Sequence, residues 1–432
     1  MGKLLQTANS RVSASMLVMG MGQLLYRQWG KGLLFLAVQL GYLYYLVTIG
    51  ARDLFGFFTL GTVPSNPWYG VAGDNSVIML IMGVLAWIVT ALYVAVYIAN
   101  IKDVYATQRR VEAGGAPRRF REELAQLLDG KFYRTVLFLP IVGVCVFNIL
   151  PVIFMILVAF TNYGGKIVPP VLVDWVGFEN FRKILALGEF APTFFRILGW
   201  NALWALLSTA VNYFGGLGLA LLLNKKCVKG KVFWRAFPIL AYAIPGFITL
   251  LGFKFMFSYG GPVNYYITEM DSPAVGFLDL DAKWSARIIG LMVNAWISIP
   301  SSMLLATGIL SNAGHDQYEA ATLDGAGPFQ QFRYITLPFV IFATTPVLIS
   351  QFIGNFNNFG IFYFLRGGLY IDGYFLASDT DLLINWLYNL SIDNNYYAIG
   401  AAISLIIFII TSAISLAVYV FSPAYRQEGT YR

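Results

Sequence analysis

The residues able to do chemistry in this chain are few, and most stand inside long apolar stretches. Asn294, Ser298 and Ser301 are spaced i, i+4 and i+7, which places them on one face of a helix. Asn355 and Asn358 are spaced i and i+3. Tyr242 and Gly246 are spaced i and i+4, in a stretch bent by Pro238 and Pro245. Three such stripes converging on one cavity would suit an uncharged polyhydroxylated ligand. Amides and hydroxyls satisfy its OH groups, aromatic faces cover its C–H patches, and no carboxylate is needed. The same asparagines and serines would equally serve as glue between helices, worth about 0.6–2 kcal/mol each. Catalysis fits poorly. The single histidine, His315, reads as a surface polar residue rather than a metal ligand, and clustered His and carboxylates are lacking. Without a G-x-x-x-x-G-K-[ST] loop the chain is not expected to hydrolyse ATP.

A second polar constellation, "EAATLDGAGPFQQFRYITLP" (Glu319 to Pro338), lies between two strongly apolar stretches. Glu319, Ala320 and Ala321 favour helix, and Asp324-Gly325 breaks it. Pro328 suits the first turn of a second helix, where its missing N–H costs nothing. Two helices this short are not stable alone and must pack on something.

These residues are positioned by an all-α polytopic membrane fold. The chain of 432 residues is 58% hydrophobic and only 12% charged, too little polar surface for a soluble protein of this length. Eight transmembrane helices are expected, near 32–51, 76–99, 135–161, 196–223, 235–258, 286–310, 337–360 and 397–421. The runs are continuous rather than alternating, which argues against strands. Loops 1–31, 100–134, 224–235, 311–336 and 422–432 hold 20 of the 29 basic residues. The opposite loops are acid-rich, with Glu269, Asp271, Asp279 and Asp281 in one and Asp372, Asp379, Asp381 and Asp393 in another. Both termini are therefore expected in the cytoplasm.

The net charge of +7 is accounted for by topology and by contact with anionic membrane lipid, so no nucleic acid is expected. The first apolar run, Met16 to Leu25, reads as an interfacial segment rather than a cleavable leader. Gly114-Gly115-Ala116-Pro117 signals a turn, followed up to Arg134 by a short amphipathic helix. Cys145 and Cys227 read as free thiols. Lys254, near the outer end of the fifth span, reads as a snorkelling ammonium.

The segment Glu319-Ala320-Ala321, three residues, Gly325, nine residues, Ile335-Thr336-Leu337-Pro338 resembles the signature of ABC importer permeases, E-A-A-x3-G-x9-I-x-L-P. "FPILAYAIPGF" (Phe237 to Phe247), "NAWISIP" (Asn294 to Pro300) and "NFNNF" (Asn355 to Phe359) are similar to MalF-type permeases of maltose and maltodextrin importers. So is the arrangement of two leading spans before six core spans. The resemblance implies a division into 1–134, two leading spans with a basic cytoplasmic loop, and 135–432, a six-helix type I permease core carrying a coupling segment at 316–338. It implies that Glu319, Ala320, Ala321, Asp324 and Gly325 dock into a cleft of a separate ATPase. It also implies that Tyr242, Gly246, Asn294, Ser298, Ser301, Asn355 and Asn358 line a sugar pocket.

The implied function is a permease subunit of an ATP-driven importer of maltose, maltodextrin or a related oligosaccharide, in a bacterial inner or plasma membrane. Its implied partners are a second permease (MalG-like), a homodimeric ATPase (MalK-like) and an extracellular sugar-binding protein. No cofactor is implied in this chain, and ATP with Mg belongs to the ATPase.

Two departures stand out. The loop near 162–195 is short, where the enterobacterial form carries a large folded insertion that embraces the binding protein. Gly246, Ser298, Ser301 and Gly354 stand where the best-known member has Ser, Gly, Tyr and Phe. Loss of two aromatics implies a wider pocket and a longer or different oligosaccharide. Two alternatives remain, a permease for a different solute and an ion-coupled secondary sugar transporter. Proton coupling usually relies on membrane-embedded acidic residues or His, and every acidic residue here falls in a loop or at a span end.

Overall fold

The computed structural model describes residues 9–118, 122, 125, 129–130, 132–186, 188–225, 227–311 and 314–421. Among these the fold is helical. Among the described residues β-pairing is limited to the isolated bridges Asn66–Val71, Thr161–Trp175 and Gly164–Ile167. Seven helices are long and apolar enough to cross a bilayer, or eight if one sharply bent pair counts as a span. Most of the amphipathic helix expected before Arg134 and both chain termini lie outside the described residues. The chain separates into two compact units, Met1–Gly177 and Phe178–Arg432. These units reflect packing, and the division at 134/135 concerns family organisation, which packing does not test.

In the first unit, α1 (Ser10–Leu17) and α2 (Met21–Leu25) precede three spans, α3 (Trp29–Thr59), α4 (Ser76–Glu112) and α5 (Thr135–Val158). The segment expected to be interfacial instead folds back on α4. Tyr97 Oη donates to the Met16 carbonyl (2.6 Å), and Asn100 Nδ2 donates to the Ser15 carbonyl (3.2 Å). Gln23 and Lys31 both reach Asp103, Lys31 at 2.7 Å. Asn75 starts α4 by accepting the N–H groups of Val77 and Ile78, both at 3.1 Å, and so satisfies donors the helix cannot.

The second unit holds α6 (Glu179–Ala186), α7 (Phe190–Asn224), α8 (Lys231–Ala243), α9 (Gly246–Met256), α10 (Pro262–Glu269) and α11 (Lys283–Ser311). It continues with α12 (His315–Leu323), α13 (Pro328–Gln331), α14 (Leu337–Phe356), α15 (Phe359–Arg366), α16 (Leu383–Tyr388) and α17 (Tyr397–Phe421). The long helices α7 and α11 pack closely because Gly216 carries no Cβ. One built there would lie 2.4 Å from Ser302 Cβ and 2.7 Å from Met303 N.

Two spans differ from their expected form. The fifth is not bent but broken by 90° between α8 and α9. Pro245 forces the preceding Ile244 into extended backbone, so the helix ends before it, whereas Pro238 sits inside α8. The seventh stops at Phe356 and restarts as α15, with Asn358 as its cap. The acid-rich loop after α15 is no solvated tail. Ala377 to Leu383 are buried, as are Trp386 and Leu390. At its centre the buried Arg366 donates to Asp379 (2.9 Å), to Thr380 Oγ1 (3.0 Å) and to the carbonyls of Leu278, Asp279 and Leu280.

Candidate functional site

Two arrangements in the second unit carry functional side chains. The first is the turn between α12 and α13. Helix α12 ends because Gly325 takes φ +79°, a left-handed conformation that favours glycine, and an added Cβ would meet nothing within 4 Å. The N–H groups of Gly325 and Ala326 return to the carbonyls of Thr322 (3.1 Å) and Ala321 (2.9 Å), closing the helix end. Gln331 Nε2 then ties α13 back, to Thr322 Oγ1 (3.0 Å) and to the Ala326 carbonyl (3.2 Å). Tyr318 Oη meets Thr336 Oγ1 at 3.0 Å and so fastens α12 to the foot of α14. The turn is thus rigid internally while its outer face is bare. Glu319, Ala320, Asp324 and Gly325 are exposed, and Ala321 is half-buried. Leu323 is 89% and Phe329 74% exposed, an unusual placement for large apolar side chains beside a carboxylate.

The second arrangement is a polar layer between two apolar clusters. Trp200, Trp204, Ile289, Val293, Ile361, Phe362 and Leu365 pack on its outer side. Tyr213, Leu217, Met303, Ala306 and Val340 pack on its cytoplasmic side. Between them side chains pair across helices. Asn358 Nδ2 donates to Asn294 Oδ1 (3.2 Å), and Asn355 Nδ2 to Thr209 Oγ1 (3.0 Å). Gln351 Nε2 donates to Ser302 Oγ (3.2 Å), and Tyr213 Oη meets Thr344 Oγ1 (2.8 Å). Buried Asn294 Nδ2 and Gln351 Oε1 have no hydrogen-bond partner among the described residues, and the same holds for Ser208 Oγ and Asn212 Oδ1 on α7. Buried polar groups with spare capacity are costly in a membrane interior, so a layer of them calls for a polar ligand or water.

The sequence-derived residues fall into this picture unequally. Asn294 and Asn358 are brought together. Ser298 and Ser301 share the α11 face with Asn294, and Ser301 Oγ is taken up by the Ser298 carbonyl (2.8 Å). Asn355 turns toward α7 instead of standing beside Asn358, because the helix that would align them ends at Phe356. Tyr242 is exposed near the end of α8, and Gly246 begins α9 across the 90° break, so the two do not share a helical face. Gln351 was missed, although it precedes Asn355 and Asn358 at i−4 and i−7 in the same apolar run. Among the described residues no group of three or more His, Cys, Asp or Glu is placed to hold a metal ion.

The family described as "Binding-protein-dependent transport system inner membrane component" matches residues 215–427. The galactooligosaccharides transport system permease protein GanP of Bacillus subtilis is 32% identical, over 96% of this chain and 97% of its own. The maltodextrin transport system permease protein MdxF of the same organism is 35% identical, over 95% of each chain. In fold, the chain is similar to a chain from the crystal structure of a bacterial ABC transporter involved in the import of the acidic polysaccharide alginate. That likeness has a TM-score of 0.56 at 22% identity and covers 69% of this chain and 96% of the other.

Proposed function

Because this chain belongs to the family of binding-protein-dependent transport system inner membrane components, we propose that it is the permease subunit through which an ATP-driven importer admits an oligosaccharide, a maltodextrin or a related neutral sugar. In this reading it pairs with a second permease and two copies of an ATPase, and an external binding protein delivers the sugar. ATP and Mg are bound, and the ATP hydrolysed, by the ATPase and not by this chain. The core of the importer is 135–432, with 1–134 as a leading pair of spans and loop.

The observation that carries this reading is the bare face of a rigid turn. Glu319, Leu323 and Phe329 offer a carboxylate flanked by apolar surface, which suits a cleft lined by a basic residue and apolar walls. The turn is fastened at Thr336 to the foot of α14. Helix α14 is 20 residues long, about 30 Å at 1.5 Å per residue, and its far end carries Gln351 and Asn355 into the polar layer. Closure of the ATPase pair displaces the turn, and α14 conveys that displacement to the residues that contact sugar. Asn294, Asn358, Gln351, Ser298 and Ser301 supply the polar lining, with Tyr242, Gly246 and Asn355 contributing in the assembled subunit pair.

The test is ATPase activity in vesicles holding this chain, its partner permease and the ATPase. Hydrolysis is expected to depend on the ATPase subunit and to rise with sugar-loaded binding protein. Glu319→Ala and Gly325→Pro are expected to insert normally yet lose that rise and sugar uptake. Normal uptake by both variants would remove the docking role.

A further inference from the structure

Asn201 lies on α7 and is fully buried, yet it belongs to none of the polar pairs described above. Its amide joins three elements. Nδ2 donates to the carbonyl of Phe356 (3.0 Å), and Oδ1 accepts the N–H of Leu383 (2.8 Å). Phe356 is the last residue of α14, and Leu383 is the first of α16. Each therefore presents a backbone group at a helix end that its own helix leaves unpaired. One side chain satisfies both. A second amide works in parallel. Asn385 Nδ2 donates to the carbonyl of Phe359 (2.8 Å) at the start of α15. The break between α14 and α15 is thereby held from two sides, by α7 and by the outer loop.

What the break positions is Asn358. Its Oδ1 accepts from Ile361 N–H (3.4 Å), which caps α15, and its Nδ2 reaches Asn294 (3.2 Å). Were helix to continue through Asn357, Asn358 would turn with it, by about 100° for each residue, off its bearing toward Asn294. We infer that Asn201 is a positioning residue for sugar transfer, holding the end of α14 so that Asn358 is presented beside Asn294, and linking that presentation to the outer loop through Leu383. The inference rests on the reading of Asn294 and Asn358 as sugar contacts.

Non-local pairing is what makes the assignment specific. An amide that served only its own helix would bond locally. Asn201 instead spans 155 and 182 residues of sequence to reach two helix ends. Removing it strands a carbonyl and an N–H in a buried setting, and the simplest way to recover the carbonyl is to extend the helix through the break.

The test is a double-mutant cycle on sugar uptake in the complete importer, with Asn201→Ala, Asn358→Ala and the combination. Each single change is expected to lower uptake about tenfold or more, and the double variant to be no worse than Asn358→Ala alone. Assembly with the ATPase serves as the folding control for each variant, and Asn201→Ser, which keeps one hydrogen-bonding group, replaces Asn201→Ala if assembly fails. Wild-type uptake with either Asn201 variant, or losses that simply multiply in the double variant, would overturn the positioning role. Wild-type uptake by Asn358→Ala alone would remove the sugar-contact reading instead. Hydrogen exchange gives a second readout. Asn201→Ala is expected to speed exchange at Leu383 and to slow it at Gly360, whose N–H an extended α14 would pair with the Phe356 carbonyl, and unchanged exchange at both would also overturn it.

Discussion

Among single residues, Gly354 and Gly246 are where the proposed sugar pocket can be tested by size. A Cβ added at Gly354 or at Gly246 would meet no atom within 4 Å. Space that is open at the Cβ admits a larger side chain without forcing backbone to move, unlike Gly216, where a Cβ collides with α11. Gly354→Phe is therefore expected to fold and insert, and to fill volume beside Asn355. Across a ladder of maltodextrins in an uptake assay, it should shift preference toward the disaccharide by about tenfold, with Ser301→Tyr adding to the effect. An unaltered ladder would show that these positions do not face the sugar. At this scale the sequence was most readable where a signature is local. The Glu319 to Pro338 segment is specified by neighbours in sequence, including Gly325 at its left-handed turn, so its two helices and bend were apparent. The stripe from Gln351 to Asn358 was only half-readable, because a helix break rotated its members onto different partners.

Among elements, the loop between α15 and α17 behaves as a folded plug. Its acidic residues read from sequence only as an acid-rich loop on the side opposite the basic loops. Asp379 instead pairs with the buried Arg366, and Asp381 accepts from Ser378 N–H, Ser378 Oγ and Asn389 Nδ2. The plug is also held from far along the chain, by Trp200 Nε1 donating to the Thr380 carbonyl (3.1 Å), and no local pattern announces that bond. Burial pushes the Asp381 carboxyl up to about 6, against the opposing pull of the hydrogen bonds from Ser378, the Arg366 charge and the bond from Asn389. A carboxyl whose folded pKa is raised contributes stability below its ordinary value near 3.8, and that contribution is lost as pH rises through about 6. Local opening of residues 378–390 is expected to be rarer at pH 5 than at pH 7.5. Hydrogen exchange corrected for its intrinsic pH dependence measures this, and Asp381→Asn is expected to flatten the difference. Greater protection at the higher pH would contradict the assignment.

At the scale of the whole molecule, the long apolar runs placed the spans, because a bilayer-crossing helix needs only length and composition. Their irregularities were less apparent. Pro245 was read as a bend where the structure has a 90° break, and the break at Asn357 was not foreseen. Both interruptions fall on spans that carry candidate sugar residues. Irregular backbone at membrane depth is tolerated where it is buried in protein or lines a polar cavity. One path joins these features in the proposed function, from a turn with an exposed apolar and acidic face, along α14, to the polar layer of the second unit. That path transmits motion only if the turn touches a motor subunit. The most direct measurement places a single cysteine at Leu323, in a chain whose exposed Cys145 and Cys227 are replaced by serine, and crosslinks it in membranes that import sugar. An adduct with the ATPase subunit, formed in step with loss of uptake and reversed by reductant, is the predicted result. Recovery of no adduct from a preparation that still imports sugar would contradict it.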